Sequence, residues 1–333
     1  MFFPIRTYFI SAATITLLLL GFSYSLMAWS SFNLSFSDLY AYLFHFDSNS
    51  IEQQILATTR MPRLLSAMLI GTNLAVAGVL MQGLTRNPLA SPSILGINAG
   101  AACFMALSSI GIHILGDVSS LVAASVGGVV SGGLVILLGG FFSARANPLK
   151  LILAGIAINA LLVGITRAAV ILADDKAYSV ITWLTGSLSS IDWQQWHNLW
   201  PTSVLGLLIA IYVAKNLNLL ALGNEVAVSL GINIGLTRCL SCVAIILLTA
   251  SSVAVAGPIG FVGMIVPHIA KRLVNNNFLL LLPVSAILGS CLIAWADSLA
   301  RGIAFPAETP VGVVTALIGT PFFVFLTIRN KLS

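Results

Sequence analysis

Apolar stretches follow one another along almost the whole chain, at roughly 8–29, 61–82, 93–110, 118–142, 149–172, 194–214, 239–257, 259–270, 278–300 and 311–328. A bilayer-crossing helix needs about 20 apolar residues, and most of these runs supply them. Only 8% of the 333 residues are charged, against about 25% in a soluble domain. So few charges cannot cover a water-soluble surface of this size. Membrane barrels alternate polar and apolar residues, whereas these runs are continuous. The reading is therefore an all-α polytopic membrane protein of about ten helices in a single transmembrane domain covering residues 1–333. The stretch 259–270 is too short to cross unaided, and Gly257, Pro258 and Gly260 break the helix before it. Irregular backbone at membrane depth survives only when buried in protein or lining a cavity.

Ten spans put both termini on one side. With the termini in the cytoplasm, ten of the fifteen Lys and Arg residues fall inside; Arg60, Arg63, Arg167, Lys176 and Arg301 fall at the outer side. The excess of inner cations favours that orientation. The net charge of +5 belongs to span ends and not to a nucleic-acid patch. The run after Arg6, from Tyr8 to Trp29, exceeds the roughly 7–15 residues of a signal h-region and is read as a retained span. Trp183, Trp193, Trp196 and Trp200 gather around the fifth-to-sixth connection, as indole rings do at a membrane–water boundary. A short amphipathic helix fits there near 178–190. Gly96 with Gly100 and Gly128 with Gly132 have the spacing of close helix contacts, although glycine is common in membrane helices generally. Ala75–Gly78 and Ala254–Gly257 both read AVAG, an echo of an internal repeat or a chance match of small residues.

Chemistry is sparse. A P-loop needs lysine after glycine; the lysines follow Leu149, Asp175, Ala214, Ala270 and Asn330. Any ATPase is thus another polypeptide. The histidines at 45, 113, 197 and 268 lack metal-ligand spacing, and Cys239 and Cys242 form a lone CxxC; the reading includes no metal and no enzyme activity. Asp297 is the main acid inside a span, and Arg301 four residues later favours a local ion pair over a proton relay. Arg60 and Arg63 open the second span, with Pro62 between them. They are either snorkelling side chains or an anion-facing patch. The segment 215–238 is too polar to cross, yet Leu219, Leu220, Leu222, Val226 and Leu230 would be wet in a plain loop. Two short helices on the cytoplasmic face, broken at Gly223 and Gly231, fit it, and exposed apolar residues there imply a docking partner.

Four stretches resemble the permease subunits of bacterial ABC importers for iron–siderophores, haem and cobalamin: RMPRLLSAMLIGTNLAVAGVLMQGLTRNPLASPSILGINAGAA (60–102), LNLLALGNEVAVSLGIN (217–233), AGPIGFVGMIVPHIAKR (256–272) and PVGVVTALIGTPFFVFL (310–326). They occur in the family's order and spacing. LILAGIAINA and ILADDKAYSVITWLTGSLS look most like ferric dicitrate permease subunits. The resemblance implies a type II ABC importer permease bundle of ten helices in the bacterial inner membrane. It implies a second permease subunit, identical or homologous, and two cytoplasmic ATPase subunits that use the ATP. It also implies a periplasmic or lipid-anchored substrate-binding protein. This chain itself would bind no cofactor. By position, Arg60, Arg63 and Arg301 would receive acidic residues of the binding protein. Leu222, Gly223, Glu225, Val226, Leu230 and Gly231 would lie in the segment resting on the ATPase. The first span and residues 30–56 match the family poorly. The implied function is import of an iron chelate such as ferric dicitrate; cobalamin or haem import is the alternative within the family, and a gradient-driven secondary carrier the alternative outside it.

Overall fold

The computed structural model describes residues 16, 20–29, 34–110, 118–140, 148–173 and 176–331. Among them all regular structure is helical. The helices are α1 (Phe36–Phe44), α2 (Ile51–Ile55), α3 (Met61–Thr85), α4 (Ile97–Ser109), α5 (Ser120–Leu138), α6 (Pro148–Leu172) and α7 (Ala177–Leu184), then α8 (Trp193–Leu220), α9 (Asn224–Ser229), α10 (Ile234–Ala256), α11 (Val262–Val274), α12 (Phe278–Ile303) and α13 (Val311–Lys331). A π-helical turn over Leu56–Arg60 joins α2 to α3, and a 3₁₀ turn over Pro92–Leu95 precedes α4.

Seven helical stretches among the described residues are long and apolar enough to cross a bilayer. They answer to seven of the ten sequence stretches. The stretch 8–29 lies largely outside the described residues, although 20–27 are helical. The other two are short. α11 has 13 residues, as its preceding break implies. The stretch 93–110 is corrected: its start is spent on the 3₁₀ turn and on Gly96 at φ +66°, leaving 13 residues in α4. Thirteen residues rise about 20 Å, short of a hydrocarbon core of about 30 Å. The stretch 194–214 is corrected the other way. Val213, Ala214, Leu217 and Leu220 keep a buried stripe at helical spacing, so α8 continues to Leu220. The helix expected near 178–190 is α7, ended at Gly186 with φ +73°.

α3 is the central helix, packed antiparallel on α12 and also against α8, α10 and α11. α3 and α12 approach closely at Gly71 and Gly289, where a Cβ on Gly71 would stand 2.1 Å from the Gly289 carbonyl oxygen. Without a hydrophobic drive between helices in lipid, such backbone contact is a main source of association. The glycines at 100, 128 and 132 likewise face neighbouring helices, so their spacing is a packing signal. The two AVAG segments are unlike: Gly78 sits mid-helix against Gly263, whereas Gly257, at φ +71°, ends α10. Asn73, fully buried, donates from Nδ2 to the Ser203 hydroxyl (2.7 Å) and the Ser252 hydroxyl (3.1 Å), tying α3 to α8 and α10.

The break between α10 and α11 is held by the connection after α7. Ser187 N–H donates to the Ala256 carbonyl at 2.8 Å, and Gly312 N–H, at the start of α13, donates to the Gly186 carbonyl at 2.9 Å. Backbone that leaves the helix is thus satisfied within the protein, as burial requires.

Candidate functional site

The antiparallel pairing of α3 and α12 brings the start of one beside the end of the other. Arg63 there lies against Asp297, 234 residues away in sequence. Its Nε donates to Oδ1 (3.0 Å) and Oδ2 (3.2 Å), and Nη2 donates to Oδ1 (2.7 Å). Its remaining edge turns outward, Nη1 donating to Glu308 Oε1 at 2.9 Å. Glu308 lies between α12 and α13. Arg301 Nε stands 3.3 Å from Asp297 Oδ2 but is not aligned as a hydrogen bond. Its Nη2 donates to the Ser25 carbonyl (2.7 Å) and hydroxyl (2.9 Å), and Nη1 to the Ala28 carbonyl (3.1 Å). Arg60 donates to the carbonyls of Ala28 (3.2 Å) and Trp29 (3.0 Å).

Three arginines and two carboxylates therefore form one cluster with a residual positive charge. The local Asp297–Arg301 pair read from the sequence exists, but it is corrected to the minor contact. Asp297 is 1% exposed and gives both oxygens to Arg63. A buried carboxylate and a buried guanidinium hold each other in place because neither can be left alone without a large desolvation penalty. Arg63 (7% exposed) and Arg301 (3%) face inward. Of Arg60 and Arg63, read from the sequence as snorkelling side chains or an anion-facing patch, Arg63 is drawn into a buried pair, and the outward members of the cluster are half-buried Arg60 and half-exposed Glu308. Sequence reasoning missed Arg63–Asp297 and Glu308, because nothing local in the sequence pairs residues on separate helices.

A recess of about 360 Å³ opens beside α7, lined in part by Tyr178, Thr182, Trp183, Ser187 and Ser190 together with Ala256 at the end of α10. The three serines Ser187, Ser189 and Ser190 are the sequence signal for this recess.

At the opposite end of α3 lies the segment 215–238. One short helix stands there, and not two. Residues 215–220 complete α8, where Leu220 is buried and Leu219 half-buried, so these two of the five apolar residues are covered by packing within the chain. α9 follows between Gly223 (φ +123°) and Gly231 (φ +82°). Both glycines adopt backbone that other residues resist. Ala227 packs inward, while Leu222 (65%), Val226 (43%) and Leu230 (57%) are exposed, as is Glu225. The base of this projection is tied on two sides. Arg86 Nη2, just past α3, donates to the Leu220 carbonyl (2.7 Å) and to Asn224 Oδ1 (2.9 Å). Asn218 donates to Asn277 Oδ1 (2.9 Å) and accepts from Phe278 N–H (2.8 Å), at the start of α12.

Comparison with known proteins bears on this arrangement. The model of the FecCD transport family matches residues 17–329. The Fe(3+)-citrate import system permease protein YfmD of Bacillus subtilis (strain 168) is 42% identical over 90% of this chain and 88% of its own length. The Fe(3+) dicitrate transport system permease protein FecC of Escherichia coli (strain K12) is 42% identical over 94% and 95%. Among solved structures, an inward-facing conformation of a metal-chelate type ABC transporter superposes with a TM-score of 0.83 at 30% identity, over 96% of this chain and 99% of that one. Helical bundle, span lengths and relatives agree: this chain is a multi-pass transmembrane permease, not an enzyme, and a member of the FecCD transport family.

Proposed function

We propose that this chain forms part of the membrane pathway of an ABC importer for ferric citrate or a closely similar iron chelate. The observation that carries this is the 42% identity, over at least nine-tenths of the chain, to two permeases named for ferric citrate. A hemin permease of Yersinia pestis is 38% identical and a hydroxamate permease of Bacillus subtilis 35%, so a citrate chelate is favoured over these by a modest margin. FecC and FecD of the same bacterium both match, which supports a second, homologous permease beside this one. The permease makes no covalent change; iron stays within its chelator.

In this reading the Arg60 end faces outward in a bacterial inner membrane and the 215–238 end faces the cytoplasm, in keeping with the excess of cations on that side. A loaded binding protein docks on the arginine cluster, steered by opposite charge. Two ATPase subunits grip α9, whose exposed Leu222, Val226 and Leu230 suit burial in a protein groove. Gly223 and Gly231 set its angle, and Glu225 supplies a charge on its open face.

The test is uptake of radiolabelled ferric citrate by cells carrying or lacking this gene, with the partner ATPase intact or inactivated. Uptake lost in either case supports the reading. Deletion that spares ferric citrate and abolishes haem or hydroxamate uptake overturns the substrate. Uphill uptake by the purified chain alone in vesicles overturns the importer. For docking, Arg60→Glu is expected to weaken binding-protein affinity about tenfold at low salt, and less at high salt.

A further inference from the structure

Within the arginine cluster the two carboxylates are held very differently. Asp297 belongs to a helix, is 1% exposed, and gives both oxygens to Arg63. Glu308 stands on the link between α12 and α13, has a side chain 37% exposed, and takes one N–H of Arg63 through one oxygen. A buried, bidentate pair is hard to part, whereas a pair reaching solvent contributes little. Among the described residues, Glu308 therefore takes the edge of Arg63 that Asp297 leaves free, and holds it through a partly exposed pair.

We propose that Glu308 is an internal stand-in for the carboxylate of a docking partner. In the undocked permease it neutralises the outward edge of Arg63; on docking, an acidic side chain of the binding protein takes that edge and Glu308 swings into solvent. The inference rests on the docking reading above and adds a competitor to it. Glu308 lowers the resting affinity, so the complex forms and parts readily in each transport cycle. It also spares Arg63 a bare guanidinium edge between cycles. Displacing it frees the link 304–310. That link leads to Gly312, whose N–H is held by the Gly186 carbonyl beside the hydroxyl-lined recess. The docking signal would thus meet the mouth of the recess by a short path.

The experiment uses the assembled importer in nanodiscs and its own binding protein, with the dissociation constant measured by biolayer interferometry. Glu308→Gln, which keeps the shape, and Glu308→Ala, which removes the group, are each expected to tighten docking about fivefold, equal to about 1 kcal/mol. Glu52→Gln removes a negative charge from α2, on a different outer connection, and is expected to change affinity less than about twofold. Unchanged or weaker docking in both Glu308 variants, with Arg60→Glu still weakening it, would overturn the stand-in while sparing the docking reading. Equal tightening by Glu52→Gln would also overturn it, because the effect would then be general charge. Arg60→Glu without effect would remove the docking reading and this proposal with it.

Discussion

Asp297→Ala should be the most damaging single change at the arginine end. The carboxylate accepts three hydrogen-bond contacts from Arg63, at 2.7, 3.0 and 3.2 Å, and lies 3.3 Å from Arg301 Nε. Without it, three guanidinium groups share one half-exposed acid, and two of them are 7% and 3% exposed. Breaking a buried pair by removing one partner costs about 3–5 kcal/mol. Asp297→Asn keeps one acceptor and loses the charge, so it should cost about 1.5–3 kcal/mol, the worth of a hydrogen bond to a charged group. Replacing both partners, as in Arg63→Met with Asp297→Leu, should cost less than the sum of the single changes by about 0.5–3 kcal/mol, because no naked charge remains on Arg63. Unfolding of the purified permease in mixed micelles by added SDS, followed by circular dichroism, measures all three. An Asp297→Ala protein within about 0.5 kcal/mol of wild type, the range of ordinary surface changes, would refute the buried pair.

Other expectations can be checked with the same material. Gly71→Ala places a Cβ 2.1 Å from the Gly289 carbonyl oxygen and should destabilise by about 1–3 kcal/mol or more. Gly133→Ala meets nothing within 4 Å and should be neutral or stabilising by up to about 1 kcal/mol; equal effects at the two sites would contradict the packing. Asn73→Ala removes the α3–α8–α10 tie and should cost only about 0.6–1.7 kcal/mol in SDS unfolding. Arg86→Ala frees the base of α9 from α3, and iron imported per ATP hydrolysed should fall several-fold while folding is retained. Leu222→Asp with Val226→Asp should abolish co-purification of the ATPase subunits without lowering permease yield.

Span existence was legible because the bilayer makes each crossing helix advertise itself as an apolar run. The break before α11 was legible for the same reason in reverse: Gly257, Pro258 and Gly260 cannot continue a helix. Boundaries were less so. α8 runs on to Leu220 because its buried stripe persists into polar sequence containing Lys215, Asn216 and Asn218, where hydropathy falls and packing does not. α4 is shortened by Gly96, whose left-handed backbone is a fact of the turn it makes and not of composition. In the arginine cluster, Arg60, Arg63 and Arg301 could be picked out as unusual cations, and Asp297 as an unusual acid. The local Asp297–Arg301 pair could be read too, but Arg63–Asp297 and Arg63–Glu308 could not, since they depend on how separate helices and the link after α12 pack together.

The two candidate docking sites are joined by the same pair of helices. α3 starts at Met61, with Arg63 in its first turn, and ends beside Arg86; its 25 residues rise about 37 Å. α12 runs back beside it, starting next to Asn277 and ending near Arg301. At one end the pair is joined through Arg63 and Asp297. At the other, α3 is tied through Arg86 to the Leu220 carbonyl and to Asn224 of α9, and α12 through Asn277 to Asn218 near the end of α8. Midway, at Gly71 and Gly289, the backbones stand so close that they leave no room to close further. A close-packed pair of this kind does not bend to absorb a small displacement; it moves as a body or changes to a second discrete packing. In the proposed function, the α3–α12 pair is the path by which a push on α9 would reach the arginine cluster, and by which a partner rearranging the cluster would be felt at α9. Such a two-way linkage would serve the proposed importer, in which a binding protein on one face and an ATPase on the other could coordinate only through the protein between them.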